Sequence, residues 1–256
     1  MKITVLASGS KGNCTYLETN EVKIMIDCGI SFRQVKNRLL QNEIEITNLD
    51  ALLITHEHSD HVSGIPSLLG KVQTNIHISD KSFGKMHPNV KNGIGIDNIK
   101  YLSESIQLKD LLITPIKTSH DSADSYGFIF ESNGKKVVHI TDTGYLPERL
   151  WDQIKNADAY LFESNYEPEL LLQSRRPMFL KQRIFGNRGH LSNLDAALIL
   201  NKIMTEKTKH IIFIHLSREC NSPYDAKQVH KVELKNYDKL NIQYSSQDFP
   251  TKTIEV

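Results

Sequence analysis

Long apolar runs are missing from this chain. No stretch approaches the roughly 18 residues that a membrane-crossing helix needs, and the opening MKITVLASGS is cut by Ser8, Gly9 and Ser10 too early for a secretory core. Cysteine is scarce as well. Cys14, Cys28 and Cys220 make an odd set without scaffold spacing, which excludes a disulfide framework and fits reduced thiols in the cytoplasm. Charge of one sign is also lacking, since 31 Lys and Arg face 30 Asp and Glu. A net charge of +1 exerts no long-range pull on nucleic acid, so such a partner would need a local basic patch. Neither repeats nor low-complexity linkers interrupt the chain, and 256 residues with 39% hydrophobic content are expected to form one domain over 1–256.

What is present alternates between two patterns. KITVLA (2–7), CTYLET (14–19), VKIMID (22–27) and ALLIT (51–55) read as strands, and so do NIHIS, LLITPIKTSH, YGFIFES, KKVVHITD, DAYLFES and HIIFIHL further on. Asn133-Gly134 predicts a two-residue hairpin turn. Helices are predicted after Ser31, where Gln34 completes a capping box, over 168–185 apart from Pro177, from Ser192 with Asp195 at capping spacing, and over SPYDAKQVHKVEL. Strand clusters with helices around them suggest α/β architecture with two sheets packed face to face, although periodicity alone leaves a three-layer fold open.

One stretch stands apart. HEHSDH at 56–61 follows a buried strand, so His56 and His58, two apart in an extended segment, can face one ion while Asp60 and His61 face a second. A solvated polar turn would gain little from such crowding. Further donors stand where apolar runs end: Asp27, His120, Asp142 and His215.

In order and spacing, Asp27, HEHSDH, His120, Asp142 and His215 resemble the motifs of the metallo-β-lactamase-fold hydrolases. The resemblance implies a four-layer αββα sandwich with a two-metal site. His56, His58 and His120 would hold one ion, Asp60, His61 and His215 the other, and Asp142 would bridge them. Asp27 would support the cluster without binding metal. LASGSKGNCTYLE (6–18), FLKQRIFGNRGHLSN (179–193) and HLSREC (215–220) are similar to the YycJ/WalJ branch, whose members are regarded as 5′-to-3′ DNA exonucleases. A His and Asp donor set is compatible with Zn²⁺, while its carboxylates also suit Mn²⁺ or Fe²⁺. Two divalent ions would lower the pKa of a water and offset charge on a phosphoryl oxygen.

Asp60, Asp27 and His190 form the expected catalytic set, with His190 placed to hold phosphate and protonate the leaving alkoxide. Ser10 and Asn13 in SGSKGN, Ser192 beside His190, and Ser217 and Asn221 after His215 are candidate phosphate contacts. Arg175, Arg176, Lys181, Arg183 and Arg188 make an acid-free run leading into His190, read as a phosphate track. Nucleic acid, DNA ahead of RNA, is the expected partner. A thioesterase or cyclic phosphodiesterase on the same metals is the enzyme alternative, and a noncatalytic metal-stabilised binding protein is the third.

Overall fold

The computed structural model of the protein describes residues 1–102 and 104–256. Its strands are β1 (Lys2–Ala7), β2 (Cys14–Glu18), β3 (Lys23–Ile26), β4 (Ala51–Leu53), β5 (Asn75–Ile78), β6 (Ile99–Tyr101), β7 (Ile106–Leu108), β8 (Leu111–Lys117), β9 (Tyr126–Ser132), β10 (Lys135–Ile140), β11 (Ala159–Glu163), β12 (His210–Ile214), β13 (Asn241–Tyr244) and β14 (Ile254–Glu255). They assort into two seven-stranded sheets, ordered β14-β1-β2-β3-β4-β5-β6 and β13-β12-β11-β10-β9-β8-β7. Each sheet is mixed. β3 to β6 run parallel in the first, and β10 to β13 run parallel in the second.

Strand alternation explains the layering. Ile24 and Ile26 of β3 and Ile212 and Ile214 of β12 point into one core between the sheets, together with Phe128 and Phe130. Met25 points the other way, into a core beneath the helices Phe32–Leu40 and Ile65–Leu69. Ile211 and Phe213 likewise point outward, against the helix Asn193–Ile203 and its neighbours. With both faces buried, these strands read as unbroken apolar runs. The result is the four-layer αββα sandwich, and the three-layer alternative is set aside.

Local signals held where they were strong. Ser31 and Gln34 form the reciprocal cap, and Ser192 accepts from the Asp195 N–H. Asn133 and Gly134 both take positive φ in the β9–β10 hairpin, as that turn requires. Pro177 splits 168–185 into two helices, Pro168–Gln173 and Met178–Phe185. Short β6 and β7 carried no readable pattern. No described helix is long and apolar enough to cross a membrane.

Candidate metal centre

Strands that run in one direction deliver the chemistry, the parallel ones together with β8, because their C-terminal ends from both sheets converge on one rim. Asp27 follows β3, His56 to His61 follow β4, His120 follows β8, Asp142 follows β10 and His215 follows β12. Asp27, Asp142 and His215 each adopt positive φ, at 58°, 50° and 59°. Such a conformation is uncommon for non-glycine residues and ends the strand ladder at the functional side chain. Two hydrogen bonds tie the sheets together here: His215 N–H donates to Ser8 Oγ (2.8 Å), and Tyr126 N–H donates to the Thr55 carbonyl (3.1 Å).

Four of the imidazoles, those of His56, His61, His120 and His215, are held by Nδ1 so that Nε2 faces inward. His61 Nδ1 lies 2.7 Å from Asp27 Oδ2. His56 Nδ1 lies 3.0 Å from Thr55 Oγ1, His120 Nδ1 lies 3.1 Å from the Gly189 carbonyl, and His215 Nδ1 lies 3.0 Å from Glu163 Oε1. Anchoring of this kind sets ring orientation and raises ligand basicity. Asp27 is fixed in turn, accepting the Thr55 N–H (2.8 Å) and hydroxyl.

The inward atoms fall into small groups. His56, His58 and His120 present donor atoms within 4.8 Å of one another, and so do Asp60, His61 and His215. His56 Nε2 and His58 Nδ1 are 3.0 Å apart, while His61 Nε2 lies 3.5 Å from Asp60 Oδ2 and 3.2 Å from Asp142 Oδ2. Asp142 Oδ1 lies 3.7 Å from His120 Nε2, so this carboxylate reaches both groups. His215 Nε2 is buried without a hydrogen-bond partner among the described residues. An orphaned nitrogen facing a carboxylate is costly unless a cation meets it. The residues therefore fit divalent ions, with two triads able to hold them.

Charge at the rim is arranged for a cation. Burial works against the Asp60 carboxylate, yet the neighbouring His61 and His215 hold its pKa well below the ordinary range. Burial likewise opposes the charged form of His215, but Asp142, Asp60 and Glu163 raise its pKa to about 10. His61 is raised in the same way against its burial, by Asp27, Asp60 and Asp142. His56 moves down, because burial and the neighbouring His61 both disfavour its charge. A divalent ion would displace the protons that this negative field attracts.

Sequence reasoning missed Glu163. Fully buried at the end of β11, it accepts from the Thr143 N–H (2.8 Å) and contacts His190 Nδ1 at 2.8 Å as well as His215. Its signal was available, for AYLFE ends in an acid just as β3 and β10 lead into Asp27 and Asp142. His190 itself comes to the rim, its ring 5.2 Å from His120 and 5.1 Å from His215.

Other expected contacts are placed differently. Asn13 is buried, accepting from Gly9 N–H (2.8 Å) and placing Nδ2 3.2 Å from Asp60 Oδ2, so it braces the loop on the site, while Ser10 is exposed. Ser192 is a helix cap, Ser217 accepts the Cys220 N–H, and Asn221 is buried, donating to Ser164 and Asn165 carbonyls. The basic run is largely engaged within the protein. Lys181 is buried and donates to the Leu172 carbonyl, Arg176 pairs with Glu219, Arg183 pairs with Asp121, and Arg188 donates to the His120 carbonyl. Arg175 is exposed and has no ion pair among the described residues. The run thus clamps the loop after His120 more than it presents free cations.

Comparison with known proteins agrees with this geometry. The Beta-lactamase superfamily domain matches residues 22–216. The chain is 37% identical over 224 residues to exodeoxyribonuclease YycJ of Bacillus anthracis, covering 86% of this chain and 84% of that one. It is 36% identical over 223 residues to exodeoxyribonuclease WalJ of Streptococcus pneumoniae, covering 86% and 83%. Among solved structures, Zn²⁺-bound PqqB of Methylobacterium extorquens superposes with a TM-score of 0.74 at 15% identity over the whole of both chains, a likeness of fold.

Proposed function

The chain belongs to the beta-lactamase superfamily, in its YycJ/WalJ-like branch, as a metal-dependent hydrolase, and from that membership we propose that it is a nuclease that uses two divalent ions to cleave phosphodiesters in DNA, working from the 5′ end. The placement of His190 carries this reading. Its Nδ1 is taken by Glu163, and its ring stands beside both His120 and His215. A cleaved phosphodiester needs its leaving alkoxide protonated, and a histidine oriented by a buried carboxylate beside the metal triads is suited to deliver that proton from Nε2.

His56, His58 and His120 would hold one ion and Asp60, His61 and His215 the other, with Asp142 shared. Zn²⁺ and Mn²⁺ are the ions that this donor set favours, with Fe²⁺ also compatible. When bound, the ions supply an activated water at neutral pH and offset charge on the phosphoryl oxygens. The chain's own work is positional. Asp27 holds His61, Glu163 holds His215 and His190, and the Arg183–Asp121 pair together with Arg188 fixes the loop that carries His120. Burial of Asp142 and Glu163 keeps water from competing for these hydrogen bonds.

A small-molecule thioesterase or cyclic phosphodiesterase is the second reading. It draws on the internal engagement of Arg176, Lys181, Arg183 and Arg188, which leaves little free charge for a long polyanion. Incubating Mn²⁺- or Zn²⁺-loaded protein with end-labelled single- and double-stranded DNA and RNA separates the two. A ladder of products from the DNA 5′ end is expected. Intact polymers alongside hydrolysis of a small phosphodiester or thioester would favour the second reading.

A further inference from the structure

At His58 the surface opens into a hollow of about 570 Å³ whose other lining residues have no part in the catalytic assignments. Its lining includes Glu57, His58, Lys85, Met86, His87 and Pro88. We propose that this hollow is a nucleotide subsite, holding the nucleoside that stays attached to the phosphorus when the leaving group departs on the His190 side. The inference rests on the phosphodiesterase reading and adds to it a location for one half of the substrate.

Its position follows from the rings. His120 neighbours both His58 (5.1 Å) and His190 (5.2 Å). A phosphoryl group at the metal triads therefore has the proton donor along one side and the hollow along the other. The volume lies within the range of small-molecule sites, so one nucleoside can enter.

The lining chemistry suits that guest. Exposed Pro88 gives the hollow an apolar wall, and Met86, nearly inaccessible in the core beneath it, lies close enough to register a guest there. Lys85 is exposed and has no ion pair among the described residues, so its ammonium is available to a phosphate oxygen. His87 accepts the Asn89 N–H at Nδ1, which turns the rest of the ring outward. Glu57 Oε1 accepts the Ala123 N–H (2.7 Å), while Oε2 is buried and unpartnered among the described residues, an acceptor that a base N–H can meet.

The test compares two esters with the same leaving group, thymidine 5′-(4-nitrophenyl phosphate) and bis(4-nitrophenyl) phosphate, using the Mn²⁺-loaded protein. Hydrolysis of the nucleoside ester with a KM about tenfold lower is expected, and in the double variant Lys85→Ala, His87→Asn the ratio of the two KM values should fall to near one. Asn at 87 retains a helix-capping side chain, so the local fold is kept. A nucleoside ester that binds no better than the simple ester, or a ratio that survives the double variant, overturns the proposal. A second readout needs neither metal nor turnover. In methyl-labelled protein the Met86 signal should shift on titration with oligothymidylate and fail to shift in Lys85→Glu; movement of Met178 with Met86 unmoved would overturn the subsite. If the nucleoside ester is preferred through Lys85 while end-labelled DNA stays intact, the subsite stands and the nuclease reading falls.

Discussion

Glu163 Oε1 lies 2.8 Å from His190 Nδ1, within a carboxylate that is wholly buried. The pair has the geometry of an oriented general acid. Replacing His190 with Ala is expected to lower kcat on DNA by roughly 10²- to 10⁴-fold. Hydrolysis of bis(4-nitrophenyl) phosphate should fall far less, because nitrophenolate leaves without a proton. Steady-state rates on the two substrates check this, and equal losses would assign His190 to binding.

Asp27 reaches the site only through His61. Asp27→Asn leaves a side chain of the same shape but removes the negative charge 2.7 Å from His61 Nδ1. Metal affinity is expected to drop about 10- to 100-fold with the fold retained. Competition with a chromogenic chelator measures it.

Gly29 is packed against the ligand turn. A Cβ added there would stand 1.7 Å from the Asp60 carbonyl oxygen and 2.7 Å from Asn13 N, both backbone atoms that cannot swing aside. Gly29→Ala should cost about 3 kcal/mol or more by overpacking and displace Asp60. Urea unfolding and metal binding should both register the change.

His230 links stability to pH. Burial against Phe213 outweighs the opposing contact with the Asn193 carbonyl and lowers its folded pKa to about 3, against 6.5 when exposed. As pH falls below 6.5 the unfolded chain takes up this proton first, so stability is present above 6.5 and is lost progressively toward 3. At pH 5 the loss attributable to this residue is about 2 kcal/mol relative to pH 8. Urea titrations at both pH values in wild type and His230→Gln isolate it, since the variant should lose less on acidification.

Arg175 tests how charge contributes. With its neighbours engaged, it is the member of the basic run most available to a phosphate. Arg175→Ala should reduce the slope of log binding constant against log salt by about 1. Fluorescence anisotropy at several salt concentrations reads this slope, and an unchanged value would remove Arg175 from the substrate path.

Much of this centre was legible in advance because its residues sit at the ends of apolar strands and cluster in HEHSDH. Strand ends are visible in sequence, and so the convergence of Asp27, His120, Asp142 and His215 could be anticipated. Glu163 was overlooked because a lone acid after a strand resembles a cap; its pairing with His215 arises from the parallel register of β11 with β12, and its pairing with His190 from the loop before the helix Asn193–Ile203. The internal partners of the arginine run were hidden for a related reason. Its partners Asp121 and Glu219 lie 62 and 43 positions away, beyond any local pattern. Short β6 and β7 owe their pairing to neighbours rather than to their own residues.

The left-handed backbone at Asp142 and His215 has an awkward effect on mutational scans. Alanine there removes the donor and keeps the Cβ whose torsional cost the native residue already bears, so the strain persists without the donor that offset it. Glycine also deletes the donor but accepts the torsion. Pairs of alanine and glycine variants at these two sites should therefore diverge in melting temperature while losing the ion equally, the reverse of what the same pair would do one position earlier, at Thr141 or Ile214.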